Sequence, residues 1–229
     1  MPAVIVDKSM PQIAVVDYHK GNLSSVVRSL SDVGACAFTT DEPARIAAAD
    51  AVVVPGVGAF EDCMSYLHES GEAEAVLQAA EKGVPFLGIC LGLHVLFERG
   101  DERSDGSAGG WVDGLGILKG SVTRLESGRL KVPHMGWDQL HLTEHGRACP
   151  LYQGIPEGAN VYFTHSYALA DDVDPAVVTT RSHYTRSFAS GVWHDNVFGV
   201  QFHPEKSSAT GLAILTNFVR VVATKRRSA

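Results

Sequence analysis

Residues 84–98 read VPFLGICLGLHVLFE, and this stretch carries the strongest signal for fold and function in the chain. An apolar run leads into the G-x-C-x-G segment 88–92, and apolar residues at helical spacing follow it. The pattern predicts a strand, a sharp turn and a helix, with Cys90 at the apex as a nucleophile. Small residues on both sides permit the strained backbone of such an elbow, and the start of the helix would favour thiolate over thiol. A cysteine in an apolar stretch is more often a small buried hydrophobic residue, but the flanking glycines favour the nucleophile.

The composition of the chain is that of an ordinary globular domain. It has 229 residues, of which 45% are hydrophobic and 20% charged, enough to bury a core without disulfides or metals. Its 19 Lys and Arg against 26 Asp and Glu give a net charge of −7, which argues against nucleic acid and anionic membrane surfaces as partners. No stretch is long and apolar enough to predict a membrane span.

The cysteines indicate neither a metal centre nor a disulfide framework. Cys36, Cys63, Cys90 and Cys149 show no C-x-x-C pair and no histidine spacing typical of zinc. We therefore predict no metal and no cofactor. Free thiols without a secretory signal favour a cytoplasmic location.

Apolar runs alternate with helical segments in the first part of the chain. Apolar runs at 12–17, 51–54 and 84–89 are separated by helical patterns at 23–30 and 60–82. Such alternation predicts an α/β fold of the flavodoxin-like kind, with an open, mostly parallel sheet and helices on both faces.

The sequence pattern changes after a loop segment at 99–114 that is rich in Gly, Asp and Ser. Shorter β-like runs then predict additional antiparallel strands in the C-terminal half, and 211–220 predicts an amphipathic helix. We divide the chain into an N-terminal extension at 1–11, a single domain at 12–223 and a basic tail at 224–229.

Three motifs follow predicted parallel strands, at the edge where ligands bind in such sheets. They are Asp17, the Pro-Gly-Val-Gly loop at 55–58, and Cys90. Acyl chemistry needs donors for an oxyanion, each worth about 2.7–4 kcal/mol. The amide of Leu91 and the loop residues Val57 and Gly58 are the candidates, although a Pro-Gly loop is often only a turn.

A base for the thiol is predicted at the end of a hydrophobic run near the C-terminus. His203 is followed by Pro204 and Glu205. If proline keeps the backbone extended, residues two apart project to one side, so that Glu205 orients the ring of His203 towards Cys90. The alternative is a strand-end histidine with a surface glutamate, and the cysteine elbow makes that alternative the weaker one.

Together, segments 88–92 and 202–205 resemble the class I (triad) glutamine amidotransferases, and the resemblance extends from about residue 12 across nearly the whole chain. Further segments are similar to the glutaminase subunits of imidazole glycerol phosphate synthases. The Pro-His-Met-Gly-Trp segment at 133–137 best distinguishes these subunits from glutaminases that serve other synthases. The other similar segments are 17–23, 55–60, 162–167 and 203–207.

The resemblance implies that Cys90 attacks the side-chain amide of glutamine, that His203 shuttles protons and that Glu205 orients His203. It implies ammonia transfer, within a heterodimer, to a cyclase subunit with a (β/α)₈ barrel fold. That subunit would make imidazole glycerol phosphate and aminoimidazole carboxamide ribotide in histidine biosynthesis. The loop at 56–58 would have to reorient to complete the oxyanion hole, so we expect low activity without the partner.

The resemblance also implies roles for two further groups of residues. Substrate-binding positions would be Gly56, Gly92, His94, His165, Ser166 and Tyr167. Partner-interface positions would be Asn22, Pro133, His134, Met135, Trp137 and Lys206. A core aromatic remains the alternative for Trp137, and a plain strand end remains the alternative for 165–167.

The chain departs from the family pattern at two places. His94 stands where the family usually has glutamine, and one helical turn from Cys90 it faces the same way. It could replace the amide's hydrogen bond, shift the pKa of the thiol or weaken glutamine binding. His19 and Lys20 follow Tyr18 where a small residue is more usual, and they could alter the partner contact.

Three other functions stay open beside this one. The chain could be a triad glutaminase that serves a different synthase, a catalytically silent subunit that stabilises a barrel partner, or a stand-alone cysteine hydrolase. An intact set of Cys90, His203 and Glu205 argues against the silent subunit.

Overall fold

The computed structural model of the protein describes residues 9–21, 23–107, 109–128 and 130–228. Residues 1–8 of the predicted N-terminal extension lie outside this part of the chain. Asn22, which the resemblance places at the partner interface, also lies outside it.

Strands and helices alternate up to residue 94, except that two successive helices occupy 60–70 and 72–81, and strands predominate afterwards. The strands are β1 (Gln12–Val16), β2 (Cys36–Thr40), β3 (Ala51–Val54), β4 (Phe86–Ile89), β5 (Phe97–Gly100), β6 (Val112–Asp113), β7 (Leu118–Arg124), β8 (His134–Leu142), β9 (Ala159–His165), β10 (Tyr167–Leu169), β11 (Val178–His183), β12 (Ser187–His194) and β13 (Val197–Val200). The helices are α1 (Leu23–Asp32), α2 (Pro43–Ala47), α3 (Phe60–Ser70), α4 (Glu72–Glu81), α5 (Leu91–His94), α6 (Glu144–Ala148) and α7 (Ser208–Ser228).

Within the described residues, nine strands form one large sheet in the order β2-β1-β3-β4-β13-β12-β11-β8-β9. The pairs from β2 to β13 are parallel, and those from β13 to β9 are antiparallel. A smaller sheet has the order β10-β7-β5-β6. The predicted α/β class, with a parallel sheet and added antiparallel strands in the C-terminal half, is confirmed.

The large sheet is covered on both faces, and β3 shows how. Val53 packs in one apolar cluster with Leu30 of α1 and Phe218 of α7. Its neighbours Val52 and Val54 pack in the other cluster, with side chains of α3 and α4. Since side chains alternate across a strand, an uninterrupted apolar run supplies both clusters. Helices therefore pack against both faces of the large sheet, as predicted.

The helix after Cys90 is shorter than the sequence predicts. Helix α5 is a single turn, Leu91–His94, and Phe97 already begins β5. Residues 93–97 are all buried, and a continuous apolar run of this kind does not distinguish helix from strand. The expected helix to Glu98 is therefore wrong, and one turn supplies only a few aligned peptide dipoles to the sulfur.

The C-terminal helix is longer than the sequence predicts. Helix α7 begins at Ser208 and continues to Ser228, through most of the segment that we separate as a basic tail. Arg226 Nε lies 3.3 Å from Asp50 Oδ2, so the helix end contacts the domain. No helix in the described part of the chain has both the length and the apolar character needed to cross a bilayer.

Candidate active site

The backbone at Cys90 has the strained geometry of a nucleophile elbow. Cys90 joins β4 to α5 with φ +54° and ψ −106°, a region that residues other than glycine seldom adopt. A Cβ added to Gly92 would lie 1.7 Å from the Val54 carbonyl oxygen, and one on Gly88 would lie 2.3 Å from the Gly92 oxygen. Only glycine fits such close approaches, so the predicted sharp turn is present for the predicted reason.

His203 and Glu205 form a buried pair just after β13. His203 Nδ1 lies 2.8 Å from Glu205 Oε1, and the two side chains are only 4% and 3% exposed. The predicted contact is present, but the backbone between the two residues is not extended, as we expected it to be. Pro204–Lys206 forms a turn of 3₁₀ helix, and this turn brings Glu205 back to the ring of His203.

Strand pairing brings the cysteine and the histidine to the same edge of the sheet. Strands β4 and β13 are parallel neighbours with Ile89 opposite Val200. The amide of Cys90 donates to the Val200 carbonyl oxygen at 2.8 Å. The nucleophile and the base therefore follow adjacent strands that are fixed to each other.

The charge on His203 is set by its neighbours. Burial alone would lower its pKa, but the Cys90 sulfur and the Glu205 carboxylate outweigh burial and raise it to about 10. His203 Nε2 is buried and has no hydrogen-bond partner among the described residues. A charged imidazole at this position can stabilise negative charge that develops on the sulfur.

The predicted oxyanion-hole residues line the cavity beside Cys90. Val57, Gly58 and Leu91 all contribute to its wall. The amide of Val57, however, donates to Tyr18 Oη at 2.9 Å, and Tyr18 Oη donates to the Val57 carbonyl oxygen at 3.2 Å. The Val57 N–H is thus bound to a hydroxyl group in this conformation of the loop.

The cavity beside Cys90 has a volume of about 280 Å³. Four of the residues predicted to contact substrate line it: His94, His165, Ser166 and Tyr167. Gly56 and Gly92 are not part of its wall. A Cβ on Gly56 would lie 2.5 Å from Leu91 Cβ and 2.8 Å from Tyr18 Oη, so close packing requires glycine at this position.

Two buried histidines in the cavity wall stay neutral near pH 7. Burial lowers the pKa of His94 to about 4 and that of His165 to about 3. His94 Nε2 lies 2.8 Å from Gln201 Oε1. His165 Nδ1 lies 2.8 Å from the Tyr167 carbonyl oxygen. His203 is therefore the charged imidazole at this edge of the sheet.

The predicted partner residues divide into exposed and buried ones. Met135 is 63% exposed and Trp137 55%, so Trp137 is not a core aromatic. Lys206 is also exposed. His134 is only 3% exposed, and its ring stacks on Phe163 and Tyr184 within the subunit. Pro133 lines the cavity instead.

Three residues at the site have no role in the prediction from sequence. Glu102 lines the cavity and accepts a hydrogen bond from the Phe60 amide at 3.1 Å, and burial raises its pKa to about 7. Gln201 contacts both His94 and Cys90. Tyr18 contacts Val57. Among the described residues, no group of three or more His, Cys, Asp or Glu side chains is arranged to hold a metal ion.

A family model described as glutamine amidotransferase class I matches residues 14–222. A protein of Syntrophotalea carbinolica is 47% identical over 212 residues, which are 90% of this chain and 98% of the relative. One of Moorella thermoacetica is 46% identical over 213 residues, 93% of this chain and 96% of the relative. Both bear the name imidazole glycerol phosphate synthase subunit HisH.

Solved structures share the fold at low sequence identity. PurLQS from Thermotoga maritima aligns with a TM-score of 0.69 at 19% identity, covering 95% of this chain and 99% of the other. The glutaminase domain of Trypanosoma brucei CTPS, solved with bound acivicin, aligns with a TM-score of 0.63 at 14% identity, covering 94% of each chain. At these identities the likeness concerns the fold alone.

Proposed function

The chain belongs to the class I glutamine amidotransferase family, and from this membership we propose that it is the glutaminase subunit of an imidazole glycerol phosphate synthase in histidine biosynthesis. The observation that carries the proposal at the site is the Cys90 elbow beside the buried His203–Glu205 pair. It supports hydrolysis of glutamine to glutamate and ammonia through a cysteine thioester.

In the first half of the reaction, the Cys90 thiolate attacks the side-chain amide carbon of glutamine. The carbonyl oxygen becomes an oxyanion, and His203 Nε2 gives its proton to the departing nitrogen, so that ammonia leaves and a γ-glutamyl thioester remains. The raised pKa of His203 suits this step, because the imidazolium is present at neutral pH to act as the acid.

In the second half, neutral His203 takes a proton from water, and the hydroxide attacks the thioester carbonyl carbon. The second oxyanion collapses, glutamate leaves and the thiolate returns beside the imidazolium. Glu205 Oε1 accepts from Nδ1 throughout, so that Nε2 always faces the reacting atoms.

Access to a complete oxyanion hole is the step that we propose to be regulated. The Leu91 amide follows the nucleophile directly, as such a donor should. The second donor would come from the loop at 56–58, where the Val57 amide is held by Tyr18. Turning that amide towards the cavity requires breaking its hydrogen bond to Tyr18, so glutamine hydrolysis by the isolated subunit should be slow.

The cavity supplies groups for the two ends of glutamine. Glu102 is a carboxylate in its wall and suits the α-ammonium group, which would in turn keep Glu102 ionised. Ser166 and Tyr167 offer backbone groups to the α-carboxylate. The side-chain amide would then lie between Cys90 and the donors.

The partner would cover the exposed apolar surface beside the cavity, which consists of Val57, Met135 and Trp137. In register, Met135 of β8 pairs with Thr164 of β9. The Thr164 carbonyl oxygen lies 3.9 Å from Cys90 Sγ. The surface is therefore one strand from the nucleophile, which supports docking of a (β/α)₈ cyclase subunit there, with transfer of ammonia across the interface.

The test is glutamate release from glutamine by the isolated protein and by its mixture with the cyclase subunit and the nucleotide ligand of that subunit. Cys90→Ala is the inactive variant, and Cys36→Ser, away from the cavity, is the matched control. We expect almost no glutamate from the protein alone and a large increase only in the complete mixture. The four free cysteines support a cytoplasmic location for this enzyme.

Other outcomes identify the other functions. Activation by a different acceptor synthase would assign the glutaminase to that enzyme. Binding to the cyclase without any glutamate release would indicate a silent subunit. Rapid hydrolysis by the protein alone would indicate a stand-alone hydrolase, and each of these results would overturn the proposal.

A further inference from the structure

Cys90, Gln201 and His94 form a connected chain of buried side chains. Gln201 Nε2 lies 3.7 Å from Cys90 Sγ, and Gln201 Oε1 lies 2.8 Å from His94 Nε2. Gln201 is fully buried and His94 is 3% exposed. The Gln201 amide nitrogen of the backbone donates to the Ser190 carbonyl oxygen at 3.0 Å, so the main chain that carries this side chain is fixed.

The direction of the two hydrogen bonds follows from donor and acceptor chemistry. The side-chain oxygen of glutamine only accepts, so His94 Nε2 must carry the proton and donate it. Burial lowers the pKa of His94 to about 4, so the ring is neutral near pH 7 and has a single proton, which the contact fixes on Nε2. The Gln201 NH₂ group then points at the sulfur.

The sulfur needs such a donor. The Thr164 carbonyl oxygen, 3.9 Å from Sγ, accepts a hydrogen bond from the thiol but is repelled by the thiolate. Cys90 is also only 6% exposed, so little water reaches the sulfur to solvate it. The Gln201 side-chain N–H is directed at the sulfur. It favours the thiolate over the thiol, because it can donate a hydrogen bond to a thiolate.

We propose that Gln201 is a further catalytic residue, which donates its side-chain N–H to the Cys90 thiolate, and that His94 is a positioning residue, which holds the Gln201 amide in the donating orientation. The inference deepens the proposed glutaminase function and rests on it. Neither side chain gains or loses a proton, because the Cys90 proton goes to His203.

In this proposal His94 orients Gln201, and it does not replace the family's glutamine as a contact to the substrate. Its Nε2 proton is already committed to Gln201 at 2.8 Å. The other titratable groups around the sulfur are Tyr18, Glu102, His165, His203 and the Glu205 paired with it. Burial raises the pKa of Glu102 to about 7, and that carboxyl is present in every variant of the test below. His165 is neutral and Tyr18 stays protonated, because burial lowers the pKa of His165 to about 3 and raises that of Tyr18. His203 is therefore the cationic neighbour of the sulfur.

The test is the pH dependence of Cys90 alkylation by iodoacetamide, located by mass spectrometry, in the full chain without glutamine or partner. The proteins are wild type, Gln201→Leu, Gln201→Glu, His94→Leu and His94→Gln, with exposed His68→Gln as the matched control. Circular dichroism confirms folding, and Gln201→Met serves if the leucine variant does not fold.

For Gln201→Leu we expect the midpoint of alkylation to rise by about one pH unit, which makes alkylation roughly tenfold slower near pH 7. Gln201→Glu should raise the midpoint further, because it places an acceptor at the sulfur. His94→Leu should give a smaller rise, and His94→Gln should restore the wild-type midpoint because its NH₂ can donate to Gln201 Oε1.

An unchanged midpoint in folded Gln201→Leu or Gln201→Met would overturn the role of Gln201. A His94→Leu midpoint equal to that of wild type would overturn the role of His94. Since the assay uses neither glutamine nor cyclase, failure of the glutaminase assay with intact midpoint shifts would count against the proposed function and not against this inference.

Discussion

The hydroxyl group of Tyr18 holds both polar backbone groups of Val57: it accepts from the Val57 N–H at 2.9 Å and donates to the Val57 carbonyl oxygen at 3.2 Å. Tyr18 is only 2% exposed, and burial raises its pKa, so the phenol remains protonated and able to donate. One side chain therefore binds the two successive peptides 56–57 and 57–58, the first of which carries the N–H that the proposed oxyanion hole needs.

Removal of this hydroxyl should release the loop. Tyr18→Phe keeps the buried ring but loses both hydrogen bonds, so we expect glutamine hydrolysis by the isolated subunit to rise about tenfold, less than the full value of one oxyanion donor. Glutamate release without cyclase measures this rise, with Tyr66→Phe as the control. A rate equal to that of wild type would mean that the contact with Tyr18 does not limit the reaction.

The charge of His203 should depend on Glu205. Glu205→Gln replaces the carboxylate by a neutral amide, so the pKa of His203, raised to about 10, should fall by roughly one to two units. Because the raised pKa keeps the imidazolium up to that pH, the variant should lose the charge at lower pH. NMR titration of the His203 ring measures the midpoint, and Glu69→Gln should leave it unchanged. An unshifted ring in Glu205→Gln would contradict the assigned pairing.

The elbow should tolerate no side chain at Gly92. In Gly92→Ala the new Cβ would lie 1.7 Å from the Val54 carbonyl oxygen, so β3 would have to move. We expect the free energy of unfolding to fall by about 3 kcal/mol or more. Gly34→Ala is the control, because it meets nothing within 4 Å and should cost only about 1 kcal/mol for its positive φ. Equal losses in chemical denaturation would contradict the close packing.

Glu102 should act on glutamine binding more than on turnover. Glu102→Gln removes the charge that we assign to the α-ammonium group, so KM for glutamine should rise about tenfold while kcat changes little. Steady-state kinetics of the complex with cyclase measures both constants, and exposed Glu126→Gln is the control. A loss confined to kcat would place Glu102 in a different role.

Trp137 should contribute to partner binding without contributing to stability. It is 55% exposed, so Trp137→Ala should leave the thermal unfolding midpoint unchanged but weaken binding to the cyclase by about 2 kcal/mol, roughly thirtyfold. Trp111, 46% exposed and packed on Arg99 near the smaller sheet, is the matched control. Calorimetric titration of both variants distinguishes this face from others.

The elements that the sequence predicts correctly are those with dense local signals. Strands β3 and β4 are uninterrupted apolar runs, and the glycines around Cys90 report a constraint within five residues. Strands β2 and β8 lack that signal, because β2 reads Cys-Ala-Phe-Thr-Thr at a sheet edge and only two of the nine residues of β8 are buried. They form because neighbouring strands offer a pairing edge, which is not a local property.

The same division holds for the candidate site. His203 and Glu205 are two residues apart, and their contact is predictable from spacing. Tyr18 and Val57 are 39 residues apart, and His94 and Gln201 are 107 apart. Those contacts depend on the order of strands in the sheet. The sequence shows the segments that contain Tyr18 and Val57, but it does not show that these two residues are in contact.

Strand β13 fixes His203 beside the elbow, whereas Val57 lies on a separate loop after β3. A partner could redirect Val57 and leave the spacing of sulfur and imidazole unchanged. Subunits made in excess over their partner would then consume little glutamine, but each would still carry a cysteine beside a charged imidazole. Such idle subunits would remain open to oxidants and to electrophilic metabolites, so damage to the cysteine should accumulate first in the fraction that has no partner.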